Sequence, residues 1–185
     1  MTRVYDPTDY GRPTDVREGI SAGLIGAAVV ALFYFVFDIA IRGQALITPT
    51  VLGEVLVMQH PDPDMTAMNM TSVAAYTVVH MIAFALFGIV LAMLVVRSER
   101  SALARYATLQ LMIVFLLFFY GLLYVASATT AGVFPFWSVL AANALAALAM
   151  GRWLWMRHPA ARAAWGREPL GAAQDKNVVT NERQS

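Results

Sequence analysis

Four long apolar runs, the first from Gly19 through Ile41, leave this chain few ways to fold. At about 1.5 Å per helical residue, such a run crosses a hydrocarbon core of about 30 Å. Lipid offers no partner to a backbone N–H or C=O, so each run must close its hydrogen bonds internally, as a helix. The first run also holds an acid, Asp38, with Arg42 four positions on. Counting back from Asp38 along one helix face meets Tyr34, Ala31, Ala27 and Gly23, and misses Leu32, Phe33 and Phe37. This small-residue stripe is expected to face protein, not lipid.

Hydrophobic residues make up 59% of the 185 and charged ones 14%, a balance that belongs to a membrane protein. A net charge of +1, with no Lys/Arg cluster on an exposed face, argues against nucleic acid as a partner. Cysteine is absent, which excludes disulfides, thiolate metal sites and lipidation on Cys.

The expected fold is an all-α integral membrane protein, a four-transmembrane-helix bundle. Residues 1–15 form an arm, 16–157 the membrane domain and 158–185 a tail, polar and partly disordered from Gly166 onward. The spans fall at about 19–42, 70–96, 106–128 and 134–156, and the apolar spacing lets the second start as early as Met65. Asp15 with Glu18 reads as a start signal for helix one near Val16. In the loop 43–69, Thr48-Pro49 opens a short helix running to Gln59, interfacial or tucked over the bundle, and Asp64 is placed to cap the next helix. Arg97, Arg100 and Arg105 crowd the second link, Ala131-Gly132 closes the third, and Trp137, Trp153 and Trp155 mark interfaces.

Arginines gather on the arm, the second link and the tail, while the long loop carries Glu54, Asp62 and Asp64. Because cations in short flanking segments stay inside, both termini are expected to be cytoplasmic, with the chain multi-pass in a bacterial inner membrane.

Three groups of residues are candidates for chemistry. Asp38 and Arg42 are spaced as a helical ion pair; an ion or proton relay would need a second membrane acid, so the expected role is structural. His80, with Tyr76 one turn before it, is the only histidine within a span, and a neutral imidazole there is a candidate ligand for haem iron or a chlorophyll-type pigment. No second membrane histidine exists to complete a bis-His site. The plainer expectation is a hydrogen bond from His80 across the bundle to Tyr34, Tyr120, Tyr124 or Asn143. His60, Met65 and Met68, near Met58 and Met70, offer imidazole and thioether donors that suit Cu(I), although methionine also fills gaps where loops pack. Gly19, Gly23 and Ala27, and in the fourth span Ala142, Ala146 and Ala147 beside Asn143, read as close-packing faces.

The chain has no H-E-x-x-H, no G-x-S-x-G and no Walker-type glycine loop, so it is not expected to be an enzyme. By elimination it reads as a non-catalytic accessory or scaffold subunit of a larger respiratory or photosynthetic electron-transfer complex. It would contact the bilayer, bound lipid and other integral subunits, with Tyr5, Tyr10 and Trp165 as contact residues and no required cofactor. The alternatives are a Cu(I)- or tetrapyrrole-binding membrane protein, and a small transporter or oligomeric channel.

Overall fold

The computed structural model describes residues 13–60, 62–64, 66–126 and 134–167. Every regular element among them is helical, and four helices are long and apolar enough to cross a membrane. Helix α1, Pro13–Phe37, runs on through a π-helical turn, Asp38–Arg42. Helix α2, Ile47–Leu52, likewise continues as a π-helical turn, Gly53–Val57. Then come α3 (Met70–Ser98), α4 (Ala102–Ala126), α5 (Phe136–Arg157) and the short α6 (Pro159–Arg167). The four long helices form a ring: α1 packs on α3 and α5, and α4 closes the circuit between them.

The tightest seam joins α1 to α3, and glycine makes it possible. A Cβ on Gly23 would collide with Phe84 O, and one on Gly88 with Gly19 O, so the two backbones touch at this crossing. On α5 the buried stripe Ala142, Ala146, Met150 and Leu154 faces α1, with the Met150 thioether filling the space beside Gly26. Helix α4 is the least buried of the four and exposes Leu109, Ile113, Val114, Leu117 and Phe118.

Several boundaries differ from those read off the sequence. Helix α1 already includes Pro13, a residue suited to a first helical turn, so Asp15 and Glu18 lie inside the helix and Glu18 reaches across to α5 instead of capping. Asn69, not Asp64, caps α3: its side-chain oxygen accepts from Thr71 N at 3.0 Å and Ser72 N at 3.2 Å. Asp64 closes its own turn by accepting from Thr66 N and Thr66 Oγ1. Helix α4 begins at Ala102, which puts Arg105 inside it; buried, that side chain donates from Nε to Ser98 O at 3.0 Å and satisfies the end of α3. Pro135 stands before α5 as its cap residue, and the tail opens with two and a half helical turns, Pro159–Arg167, that end about where disorder was expected to begin.

The loop helix is tucked against α3. Ile47, Thr48, Thr50, Val51 and Leu52 are buried, and so are Gly53, Glu54 and Val55. A Cβ on Gly53 would meet Ser72 O, so this approach also needs glycine. Of the expected stripe on α1, Gly23, Ala27 and Tyr34 are buried but Ala31 is exposed, while Phe37 is buried against Tyr34 and Trp137. Ala31 instead lines a cleft between α1 and α3.

Candidate functional site

Among the described residues the most enclosed charge sits where α1 ends. Asp38 has no exposed surface and opens the π-helical turn. Its Oδ2 accepts from Thr48 N at 2.7 Å; its Oδ1 accepts from Thr48 Oγ1 at 2.7 Å and from Arg42 Nη1 at 3.1 Å. Arg42 Nη1 also donates to Thr48 Oγ1 at 3.2 Å, and the guanidinium lies over the rings of Phe134 and Phe37, 5.1 and 5.6 Å from their centroids. Both carboxylate oxygens are thus engaged. The arrangement ties the end of α1 to the start of α2, as a buried charge must be tied if it is not to cost several kcal/mol.

A second buried acid fastens the other half of the loop. Glu54 accepts from Asp64 N at 3.2 Å and from Asn69 Nδ2 at 3.3 Å, while its backbone carbonyl accepts from His60 N at 2.9 Å. Asn69 therefore joins Glu54 to the first turn of α3. Asp64, outside the spans, has its carboxyl held below the usual range by the Thr66 hydroxyl and then by the Thr66 backbone N–H. The sequence reading placed Glu54 among the outward-facing acids; its only local signal is a lone charge within the apolar run Val51 to Val57.

His80 finds its partners close by. Nε2 stands 3.3 Å from Ala27 O, and Nδ1 stands 3.3 Å from the Tyr76 hydroxyl. A carbonyl oxygen can only accept, so the ring proton lies on Nε2 and Tyr76 donates to Nδ1. The imidazole is packed between the Tyr76 and Phe84 rings, with centroids at 5.3 and 4.5 Å. The cross-bundle partners expected for it are not used: Asn143 donates to Leu116 O, and Tyr124 is exposed. The Tyr120 side chain lies outside the described residues. Both ring nitrogens are thus engaged within the chain, and aromatic rings flank the imidazole.

Beside this column is a cleft of about 110 Å³. Val30, Ala31, Tyr34 and Phe35 of α1 form one wall, Val73, Tyr76, Thr77 and His80 of α3 the other, and Leu46, Thr48 and Pro49 lie across the loop end. The Tyr34 hydroxyl is buried with no hydrogen-bond partner among the described residues. The Ser138 side chain lies beside it and gives its own proton to Pro135 O at 2.8 Å.

The methionine group spans the loop and the first turn of α3. His60 and Met68 are exposed, Met58 receives the Ser72 hydroxyl at 3.4 Å, and Met65 lies outside the described residues. Among the described residues no three His, Asp or Glu side chains converge as a metal site.

At the opposite end a looser polar group joins three helices. His158 Nε2 lies 3.0 Å from Glu18 Oε2, off the line of a hydrogen bond, and Nδ1 lies 4.0 Å from Glu99 Oε1. Arg157 Nη1 is 3.5 Å from Glu18 Oε1. Trp165 donates from Nε1 to Ser98 Oγ at 3.0 Å and meets the Trp155 ring edge-on, so its contacts are within the chain. Tyr5 and Tyr10 lie outside the described residues.

Compared with known protein families, curated proteins and solved structures, the chain matches none.

Proposed function

We propose that this chain is a non-catalytic membrane subunit that works by being held against other integral proteins, with both termini cytoplasmic in a bacterial inner membrane. The observation that carries the reading is a contrast in how the molecule treats its groups. Its buried acids are spent on fastening the loop to the bundle, while the apolar face of α4 is left uncovered. A helix so lightly held by its own chain suits a neighbour as well as lipid. The class of assembly expected is a respiratory or photosynthetic electron-transfer complex, where small multi-pass subunits fill the lipid-facing perimeter.

The test is purification of the tagged full-length chain from its native membrane in mild detergent, after cross-linking. Integral proteins cross-linked along Leu109, Ile113 and Leu117 are the expected result, and a monodisperse lone chain would overturn the proposal. Accessibility of tags at both ends from the cytoplasmic side checks the orientation.

A further inference from the structure

We infer that the exposed face of α4 docks on the same face of a second copy of this chain, with the two Gln110 carboxamides bonded to each other across a two-fold axis. The starting point is a polar group in an apolar solvent. Helix α4 has 25 residues and rises about 37 Å, against about 30 Å of hydrocarbon. Gln110 stands about 12 Å beyond Ala102 and one turn past Tyr106, inside the apolar depth. Its side chain is exposed and forms no hydrogen bond among the described residues. The neighbouring polar residues Arg105 and Thr108, by contrast, are buried and bonded within the chain, to Ser98 O and Ala104 O. A carboxamide left unpaired in hydrocarbon is costly, so Gln110 calls for a partner from outside.

The residues around it have the pattern of a helix-pairing seam. Leu103, Tyr106, Gln110, Ile113 and Leu117 follow at alternating spacings of three and four, Tyr124 continues the pattern one heptad on, and all six are exposed. That is the stripe of a left-handed helix pair, and a single polar residue within such a stripe fixes register and partner number. Gly121 lies beside the stripe, where an added Cβ would meet nothing within 4 Å among the described residues. Packing within one chain gives no reason for this glycine, whereas a helix arriving from outside would use it for close approach.

Symmetry selects the partner. Copies of one chain enter the membrane in the same orientation, so two α4 helices meeting by these faces run parallel about a two-fold axis along the membrane normal. Such an axis sets each residue at the depth of its own counterpart, and Gln110 meets Gln110. A carboxamide carries both donor and acceptor, so the two can exchange N–H···O bonds. A foreign helix would need a matching polar group at that depth; a second copy has it by construction. The inference rests on the reading of α4 as a contact face and names the occupant of its centre, with Leu109 and Phe118 at the flanks open to lipid or other subunits.

The chain has no cysteine, so single introduced cysteines report the contact cleanly. Membranes of cells expressing the full chain are oxidised with copper phenanthroline. Ile113→Cys and Leu117→Cys are expected to give disulfide-linked dimers, and Leu86→Cys, on the exposed face of α3, is expected to give none. Association is then followed by energy transfer between fluorescently tagged full chains in liposomes of decreasing protein-to-lipid ratio. Gln110→Leu is expected to weaken the dimer roughly ten-fold, and Gln110→Asn to restore most of it. Unchanged association in Gln110→Leu, equal cross-linking at Leu86→Cys, or a chain that stays monomeric would each overturn the inference. Cross-linking of Ile113→Cys to foreign membrane proteins alone would also overturn it while leaving the proposed subunit role standing, so the two can fail separately.

Discussion

The two ends of the bundle both carry an acid paired with arginine, and they are built on opposite terms. At the loop end, Asp38 is wholly enclosed and its partners, Arg42 and Thr48, are fixed by short bonds and aromatic rings. At the other end, Glu18 meets Arg157 at 3.5 Å with the arginine side chain 49% exposed, and His158 is shared between two glutamates. The difference is one of desolvation. A charge removed from solvent must have all its partners or it unfolds what surrounds it, whereas a hydrated pair can be lost at little cost. The loop end is thus the rigid end, and the Glu18 end is adjustable.

The comparison breaks most visibly at Asp38. Asp38→Ala strands the Thr48 N–H and removes the counter-charge of Arg42, and is expected to cost about 3–5 kcal/mol in a reversible unfolding assay in bicelles. Thr48→Val keeps the shape but loses two hydrogen bonds, and a smaller loss of roughly 1–2 kcal/mol is expected by the same assay. Glu18→Gln at the opposite end is expected to cost less than about 1 kcal/mol, and added salt should shrink the effect. A loss at Glu18 equal to that at Asp38 would erase the distinction.

Two smaller effects sharpen the picture of the loop. Because the folded Asp64 carboxyl titrates below its ordinary 3.8, its contribution is complete above that value and is lost as the pH falls through the lower folded one. Acid unfolding below about pH 4 should therefore be less pH-dependent in Thr66→Val. Gln59, exposed at the end of the loop helix, holds a left-handed φ of 58°. Gln59→Gly removes a strain of roughly 1 kcal/mol but adds chain entropy to the unfolded state, for a net gain of a few tenths in thermal unfolding.

How much of this was legible in the sequence follows from the range of each interaction. Four helices of membrane length were legible, because hydropathy and the 1.5 Å rise are local properties. The spacing of Asp38 and Arg42 was legible for the same reason. Thr48, ten residues from Asp38, was read only as a cap for the loop helix, and nothing local marks it as the acid's main donor. Ala27 O as the partner of His80 was hidden because every residue has a carbonyl; only the glycine-paved seam brings this one within reach. Glu54 and Arg105 read from the sequence as residues of the long loop and the second link, and each is buried where it satisfies backbone or side-chain groups at a helix end, a partnership set by tertiary packing. The cleft could not be read at all, since its volume is set by how far α1 and α3 diverge.

Hydrogen exchange of individual backbone amides in nanodiscs tests the rigid loop end most directly, because the Thr48 N–H is bound to Asp38 across the loop. If the loop end is one cooperative body with the bundle, that amide is expected to exchange roughly a thousand-fold more slowly than the amides of the short α6. A Thr48 amide exchanging as fast as those of α6 would mean the buried acid holds nothing in place.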